Sequence, residues 1–376
     1  MRGMRPRRLA HLAAKRKGPL PAPSPHPAIA YIQVMLRPDL LLQPTPKGLY
    51  CPPGDFYLDP VRGAVERAVI SHGHSDHARG GHGKVLAHPD TLAIMACRYG
   101  QNFAKSTQSL EYGETVEING VTVWLAPAGH ILGSAQVVVE HKGLRMTFTG
   151  DYKRRFDPTC ATFEPVANTH VLISEATFAL PVFRHPDTES EIARLLHSLK
   201  HFPERAHCVG AYSLGKAQRV IRHLRLAGHD APVFIHPSLE KLCAHYQSVG
   251  IDLGTLVTVP TGDVPKAARE QYRGQIVVAP PGSFEGKWAQ NFPDPVIAFA
   301  SGWMSIRQRA KQRGVELPLV ISDHADWDEL TETVREVNPE ELWVTYGRED
   351  ALVRWAELEG RRARPLRMVA YADEAG

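Results

Sequence analysis

The chain has 376 residues, 43% of them hydrophobic and 22% charged, which suffices for one large or two medium domains with a sizeable core and excludes wholesale disorder. Arg2, Arg5, Arg7, Arg8, Lys15, Arg16 and Lys17 lie in residues 1–30 with no acid, so the net +4 becomes −3 over the rest, and any nucleic-acid surface must be a local patch. No apolar run reaches the ~18 residues of a membrane span, and five scattered cysteines without a CxxC pair argue against a disulfide scaffold or zinc ribbon and for a reducing cytoplasm.

Residues 1–30 are basic and then proline-rich. They read as a flexible extension; a basic arm, a cleaved targeting peptide or a true start at Met35 are the other readings. From residue 31 strands dominate. AVI at 68–70 is a short buried strand and VTVWLA at 121–126 another. QVVVE (136–140) and LRMTFTG (144–150) flank His141-Lys142-Gly143, a hairpin signal. HVLIS (170–174) follows. A helical zone begins at Thr188, which with Glu191 looks like a capping box ahead of Ile192, Leu195, Leu196 and Leu199. Further apolar stripes start after Gly215-Lys216 and after Pro237-Ser238, with strands at 232–235, 276–279 and 296–300 between and after them. The last stretch alternates a strand (319–322), a helix from Asp326 to Val337, a strand (342–346) and a helix over 350–359. This divides the chain into an α/β body at 31–180 and 300–376 and a second α/β unit at 181–299.

The strands repeatedly end in His, Asp or Glu, and the 19 histidines need an explanation. Ser-His-Gly-His-Ser-Asp-His at 71–77 follows the strand at 68–70. Alternate residues share a side, so His72 and His74 aim at one cation and Asp76 and His77 at a neighbour. Neutral imidazole and carboxylate suit Zn²⁺ or Mn²⁺. His130 in Ala-Gly-His, Asp151 in Thr-Gly-Asp and His324 in Ser-Asp-His-Ala-Asp each follow a strand beside small residues that allow close approach.

These motifs resemble the metallo-β-lactamase superfamily and, within it, the β-CASP nucleases. HxHxDH at 72–77, GH at 129–130, GD at 150–151 and DHAD at 323–326 match the family's ligand motifs in order over about residues 45–350. The resemblance implies a metallo-β-lactamase αββα sandwich with an inserted α/β β-CASP cap at 181–299. It also implies two divalent ions, Zn²⁺ and/or Mn²⁺. The first site would be His72, His74, His130 and Asp151; the second Asp76, His77, the bridging Asp151 and His324. Asp59 in Tyr-Leu-Asp-Pro would orient the histidine motif from behind. Ser174-Glu175-Ala176-Thr177 resembles the family's acidic motif, which makes Glu175 a support for a ligand or a catalytic histidine.

Other features bear on substrate. A cap over the metals makes a cleft suited to a polymer. Ser213, Gly215 and Lys216 resemble the family's glycine–cation helix start, a seat for phosphate. Ser301, Gly302 and Trp303 resemble the Gly-Trp element of the DNA-directed branch, with Trp303 stacking a base or, alternatively, packing in the core. Arg307, Arg309, Lys311 and Arg313 offer phosphate contacts or form a solvated helix face. The histidine usual after this glycine in RNA-processing members is missing, and Tyr346-Gly347-Arg348-Glu349 stands where they carry His-Gly-Glu.

The nearest resemblance is to the bacterial ligase-associated DNA exonucleases, akin to Artemis-type enzymes. It implies a DNA exonuclease with 5′ preference acting in repair or end processing. Asp76, Glu175 and His324 would be its catalytic residues, and a DNA ligase and helicase its partners. An RNA-processing nuclease is the alternative. A silent scaffold subunit is the rival from another class, opposed by the full ligand set.

Overall fold

A computed structural model describes residues 37–366; the extension read at residues 1–30 lies outside the described residues. Helix α1 (Pro38–Leu41) leads into a first sheet of β1 (Gln43–Thr45), β2 (Gly48–Cys51), β3 (Phe56–Leu58), β4 (Arg67–Val69), β5 (His82–Ala87) and β6 (Ala104–Ser109), whose strands lie side by side in chain order. Helix α2 (Pro89–Tyr99) joins β5 to β6. The next strands are β7 (Thr115–Ile118), β8 (Val121–Pro127), β9 (Ala135–His141), β10 (Leu144–Phe148) and β11 (Val171–Ala176). In β8 buried and half-buried residues alternate one by one, the period-2 pattern of a strand with one face on the core. The β9–β10 hairpin closes through Lys142 and Gly143, both at positive φ, as a tight two-residue turn requires.

A third sheet follows, built from α3 (Thr188–His201), β12 (His207–Gly210), α4 (Lys216–Leu226), β13 (Val233–Ile235), α5 (Glu240–Ser248), β14 (Leu256–Thr258), α6 (Lys266–Arg269), β15 (Ile276–Ala279), β16 (Val296–Ala300), α7 (Arg307–Gln312) and β17 (Leu317–Leu319). Its strands are all parallel, in the order β14-β13-β15-β12-β16-β17. The chain then returns through α8 (Trp327–Val337), β18 (Glu341–Gly347), α9 (Glu349–Leu358) and β19 (Arg362–Pro365), which complete the second sheet as β19-β18-β11-β10-β9-β8-β7.

Leu49, Phe56, Leu58 and Val69 of the first sheet share one core with Val123, Val137, Met146, Ile173 and Trp343 of the second. On the outer face of the first sheet, α2 packs through Met95 against Ile70 and Val85. On the outer face of the second, α8 and α9 pack through Leu330, Val334, Leu352 and Ala356 against Leu172 and Val344. This is the αββα sandwich. The third sheet packs Val209, Ile235 and Val278 against Val220, Ile221, Leu224 and Leu242, and the same cluster takes in Ile94 of α2 and the loop residues Ile131 and Leu132. The added α/β layer is therefore joined to the sandwich by apolar packing. Among the described residues no helix is long and apolar enough to cross a membrane.

Three details depart from the sequence reading. The inserted unit was bounded at residue 299, but β17 pairs in parallel with β16, so its sheet runs to Leu319. The strand read at 319–322 is instead Leu317–Leu319, and Val320–Asp323 is loop. Thr188 is no capping residue. Asp187 precedes the helix without a side-chain cap, and Glu191 turns away to accept from the Val320 amide at 2.7 Å and from Arg194 at 2.6 Å.

Candidate metal centre

Three polar loops of the two inner sheets converge with a fourth that leaves the third sheet. The first, residues 70–81, leaves β4 and carries His72, His74, Asp76 and His77. The second, after β8, carries His130. The third, after β10, carries Asp151, and the fourth, after β17, carries His324. Close approach is built into the glycines. Gly150 has φ +53, and a Cβ there would lie 2.7 Å from Ser71 Oγ in the histidine loop. Gly129 has φ +73, and a Cβ would lie 2.1 Å from the Lys153 carbonyl oxygen. Neither site accepts a side chain without moving a ligand loop.

All seven metal-ligand candidates come together. His72, His74, His130 and Asp151 offer ligand atoms within 4.8 Å of one another, as do Asp76, His77 and Asp151, and Asp151, Glu175 and His324. Asp151 is common to all three sets. Its Oδ2 lies 3.3 Å from His77 Nε2, 3.5 Å from His72 Nε2 and 3.8 Å from His130 Nε2. Burial alone would raise the Asp151 carboxyl; His77 and His324 hold it well below the usual carboxylate range.

The rings are tied from behind. Asp59 is fully buried and accepts from the Ser71 amide at 2.7 Å, from the Ser71 hydroxyl and from His77 Nδ1 at 2.7 Å. Both its oxygens are spent, so it orients rather than ligates. His72 Nδ1 lies 3.0 Å from Ser71 Oγ, leaving a buried Nε2 with no partner. His130 Nδ1 donates to the Asp323 carbonyl at 2.7 Å, and His74 Nε2 donates to the Leu214 carbonyl at 3.2 Å. Glu175, fully buried, accepts from the Tyr152 amide at 2.8 Å and from His324 Nδ1 at 3.0 Å, so it too orients a ring. Burial and neighbouring imidazoles push His72 and His130 well below the ordinary histidine value, so both rings are neutral, the form that can donate to a metal. His324 is opposite: burial works against its charge, but Glu175 and Asp151 raise it to about 10.

This donor set fits divalent cations. His74 Nδ1 and His130 Nε2 lie 2.9 Å apart, while the other nitrogen of each ring is spent on a backbone carbonyl, so these two nitrogens converge on one point of the donor cluster. His72 Nε2 and Asp76 Oδ1 add two buried polar atoms without a partner. Nitrogen and carboxylate donors in this mixture suit zinc or manganese. Asp76, with its side chain 26% exposed, marks the open edge.

The residues read as substrate contacts fare differently. Lys216 is no open phosphate seat: its ammonium is buried in an ion pair with Asp323 at 2.8 Å. Gly215, at φ +80, starts α4 against Ile131, and Ser213 is half-buried, its carbonyl taken by Gln218. Ser301 caps the turn at Trp303, and Gly302 packs on Phe178. Trp303 is half-buried, its ring 4.7 Å from Phe178 and 5.2 Å from Phe183, with the Arg309 guanidinium 4.1 Å from its centre. Arg307, Lys311 and Arg313 lie exposed along or just beyond α7. Sequence reasoning missed Arg219 and the carbonyl of Leu214, both in contact with the ligand loops, and Tyr346, whose ring lies 4.8 Å from His77. The Lys216–Arg219 spacing, two cations one turn apart, was a signal for the first.

Comparison with known proteins agrees with this architecture. No family model matches the chain. It is 31% identical over 327 residues to a "Probable DNA ligase" of Opitutus terrae, an alignment covering 82% of this chain and 30% of that protein. It is 32% identical over 181 residues to "Endoribonuclease YSH1" of Saccharomyces cerevisiae (45% of this chain, 22% of that one). It is 30% identical over 162 residues to "Cleavage and polyadenylation specificity factor subunit 3-I" of Arabidopsis thaliana (39% and 23%). The chain thus spans less than a third of the length of these relatives. A solved structure of a protein of unknown function from Enterococcus faecalis V583 superposes with a TM-score of 0.51 at 13% identity, over 76% of this chain and 75% of that one, a likeness of fold. The αββα sandwich, the added α/β layer, the ordered ligand motifs and the endoribonuclease and cleavage-factor relatives all fit the β-CASP family of the metallo-β-lactamase superfamily.

Proposed function

We propose that this protein is a metal-dependent DNA nuclease that hydrolyses phosphodiesters. The observation that carries the reading is the convergence of seven ligand candidates around Asp151, with two buried atoms, His72 Nε2 and Asp76 Oδ1, that make no hydrogen bond. Two divalent ions held there, Zn²⁺ or Mn²⁺, would lower the pKa of a water and offset charge on the attacked phosphate. The chain's own groups do the rest. Asp76, at the open edge, would hold the attacking water and take its proton. Glu175 keeps His324 turned so that its Nε2 faces the centre. Asp59 does the same for His77 through Nδ1.

DNA is favoured over RNA because the relative matched over most of this chain is a probable DNA ligase, whereas the endoribonucleases match less than half of it. Exonucleolytic end processing, a preference for 5′ ends and a ligase and helicase as partners follow from the resemblance to ligase-associated exonucleases; the likeness to a probable DNA ligase supports the DNA context alone. RNA cleavage is the second reading, favoured by the endoribonuclease relatives.

The test is an assay on end-labelled single-stranded DNA and matched RNA with Mn²⁺, Zn²⁺, Mg²⁺ or chelator. We expect metal-dependent DNA degradation, with the label position giving polarity. Asp76→Ala should reduce it by about 10²-fold or more, the usual scale for a lost general base. Cleavage of RNA alone would replace the DNA reading with the RNA one. Cleavage of neither by a metal-loaded protein would refute both.

A further inference from the structure

Three ligand rings rest on one short segment of the added α/β layer. The Leu214 carbonyl accepts from His74 Nε2 at 3.2 Å. Lys216, two residues on, pairs with the Asp323 carboxylate at 2.8 Å, and the Asp323 carbonyl accepts from His130 Nδ1. Arg219, one turn further along α4, donates from Nη2 to the His130 carbonyl at 3.0 Å and from Nη1 to the Ser322 carbonyl at 2.8 Å. Ser322 in turn accepts from the His324 amide at 3.1 Å. The remaining guanidinium edge is held by Asp157, buried like Arg219 itself. Arg219 thus holds the loops through their backbone carbonyls, while the Asp323 carboxylate held by Lys216 lies 3.9 Å from His324 Nε2.

We propose that residues 214–219, with Arg219 as the central positioning residue, set the metal affinity of the centre. This inference rests on reading the donor cluster as a metal centre. Arginine suits the task because its planar fork holds two carbonyls and one carboxylate in fixed directions. Lysine in its place keeps the charge but cannot span all three. Since loss of a group that orients a ligand typically costs about 10–100-fold in metal affinity, Arg219 acts on ligand geometry rather than on substrate. The segment that resembled a phosphate seat is, on this view, the support of His74, His130 and His324.

The experiment compares purified full-length wild type, Arg219→Lys, Lys216→Met and Arg225→Lys. Bound metal is counted by mass spectrometry and Zn²⁺ affinity measured by chelator competition, beside thermal melting. Arg225 is the control: it sits on the same helix and satisfies the carbonyls of Leu253, His229, Ala231 and Thr255, away from the metal loops. We expect Arg219→Lys to bind Zn²⁺ at least about 10-fold more weakly, and Arg225→Lys to melt lower with unchanged affinity. If Arg219→Lys does not fold, Lys216→Met carries the same expectation through Asp323 and His130. Wild-type affinity in the folded Arg219 and Lys216 variants, or equal weakening in Arg225→Lys, overturns the inference while leaving the metal centre standing. A wild type that binds no metal overturns both.

Discussion

His185 shows how much of this site lies behind the ligands. It is only 6% exposed, its ring packs edge-on to Phe178 at 4.6 Å, and neither ring nitrogen has a hydrogen-bond partner among the described residues. Burial first, then Lys153, pushes its pKa down to about 3, from about 6.5 in an unfolded chain. Between those values the unfolded state binds a proton that the folded state refuses, so stability falls as pH drops from about 6.5 towards about 3. His185→Leu removes that proton. Urea midpoints at about pH 7 and about pH 5.5 should therefore fall less in the variant than in the wild type; equal falls would refute the assignment. The clustered metal-ligand candidates were legible in the sequence because ligand chemistry restricts residue type and the motifs are short. The surroundings of Lys216 and Trp303 were not. A lysine's partner, here Asp323, lies 107 residues away, and nothing local says whether an indole meets Phe178 or a nucleobase.

At the scale of elements, α8 is a joint as much as a helix. Asp326 caps it, accepting from the amides of Asp328 and Glu329, while Glu329 reaches back to the Asp326 amide at 3.1 Å. The other Asp326 oxygen accepts from the His185 amide at 2.9 Å and from Arg155 at 2.7 Å. Glu329 also accepts from the amides of Arg154 and Arg155. The start of α8 therefore ties down the loops that follow Asp151 and Glu175, two residues after His324. A lost cap alone costs about 0.5–2 kcal/mol. Here an arginine loses its buried partner as well, so Asp326→Ala should cost roughly 3 kcal/mol, read as a lowered denaturation midpoint. Asp187→Ala, at a helix start whose side chain caps nothing, should cost far less. The sequence pattern started a helix at Asp326 but read the capping box at Thr188, whereas the box forms at Asp326. Glu191 was drawn away by the Val320 amide of a strand end far along the chain, a tertiary contact that helix-start statistics do not contain.

For the whole molecule, the order of layers was legible because strand alternation and ligand motifs recur along the chain in the same sequence as the sheets. The end of the inserted layer was not, since β17 is a three-residue strand whose membership is decided by pairing with β16. The layers are linked twice: by the apolar cluster that joins the third sheet to Ile94, Ile131 and Leu132, and by the polar contacts of residues 214–219 with the ligand loops. The four loops come from different parts of the chain, so bound metal joins them only in the folded state. A ligand present at about 1,000 times its dissociation constant stabilises the fold by about 4 kcal/mol. For a chain of this size that should raise the melting temperature by on the order of 5–10 °C. Calorimetry with Zn²⁺ and with chelator should show that shift. The loaded protein should unfold in one transition and the stripped protein in two, because removing the metal weakens the polar link and leaves the apolar one. A single transition at the same temperature with and without chelator would mean that apolar packing alone joins the layers and that the donor loops carry no metal in solution.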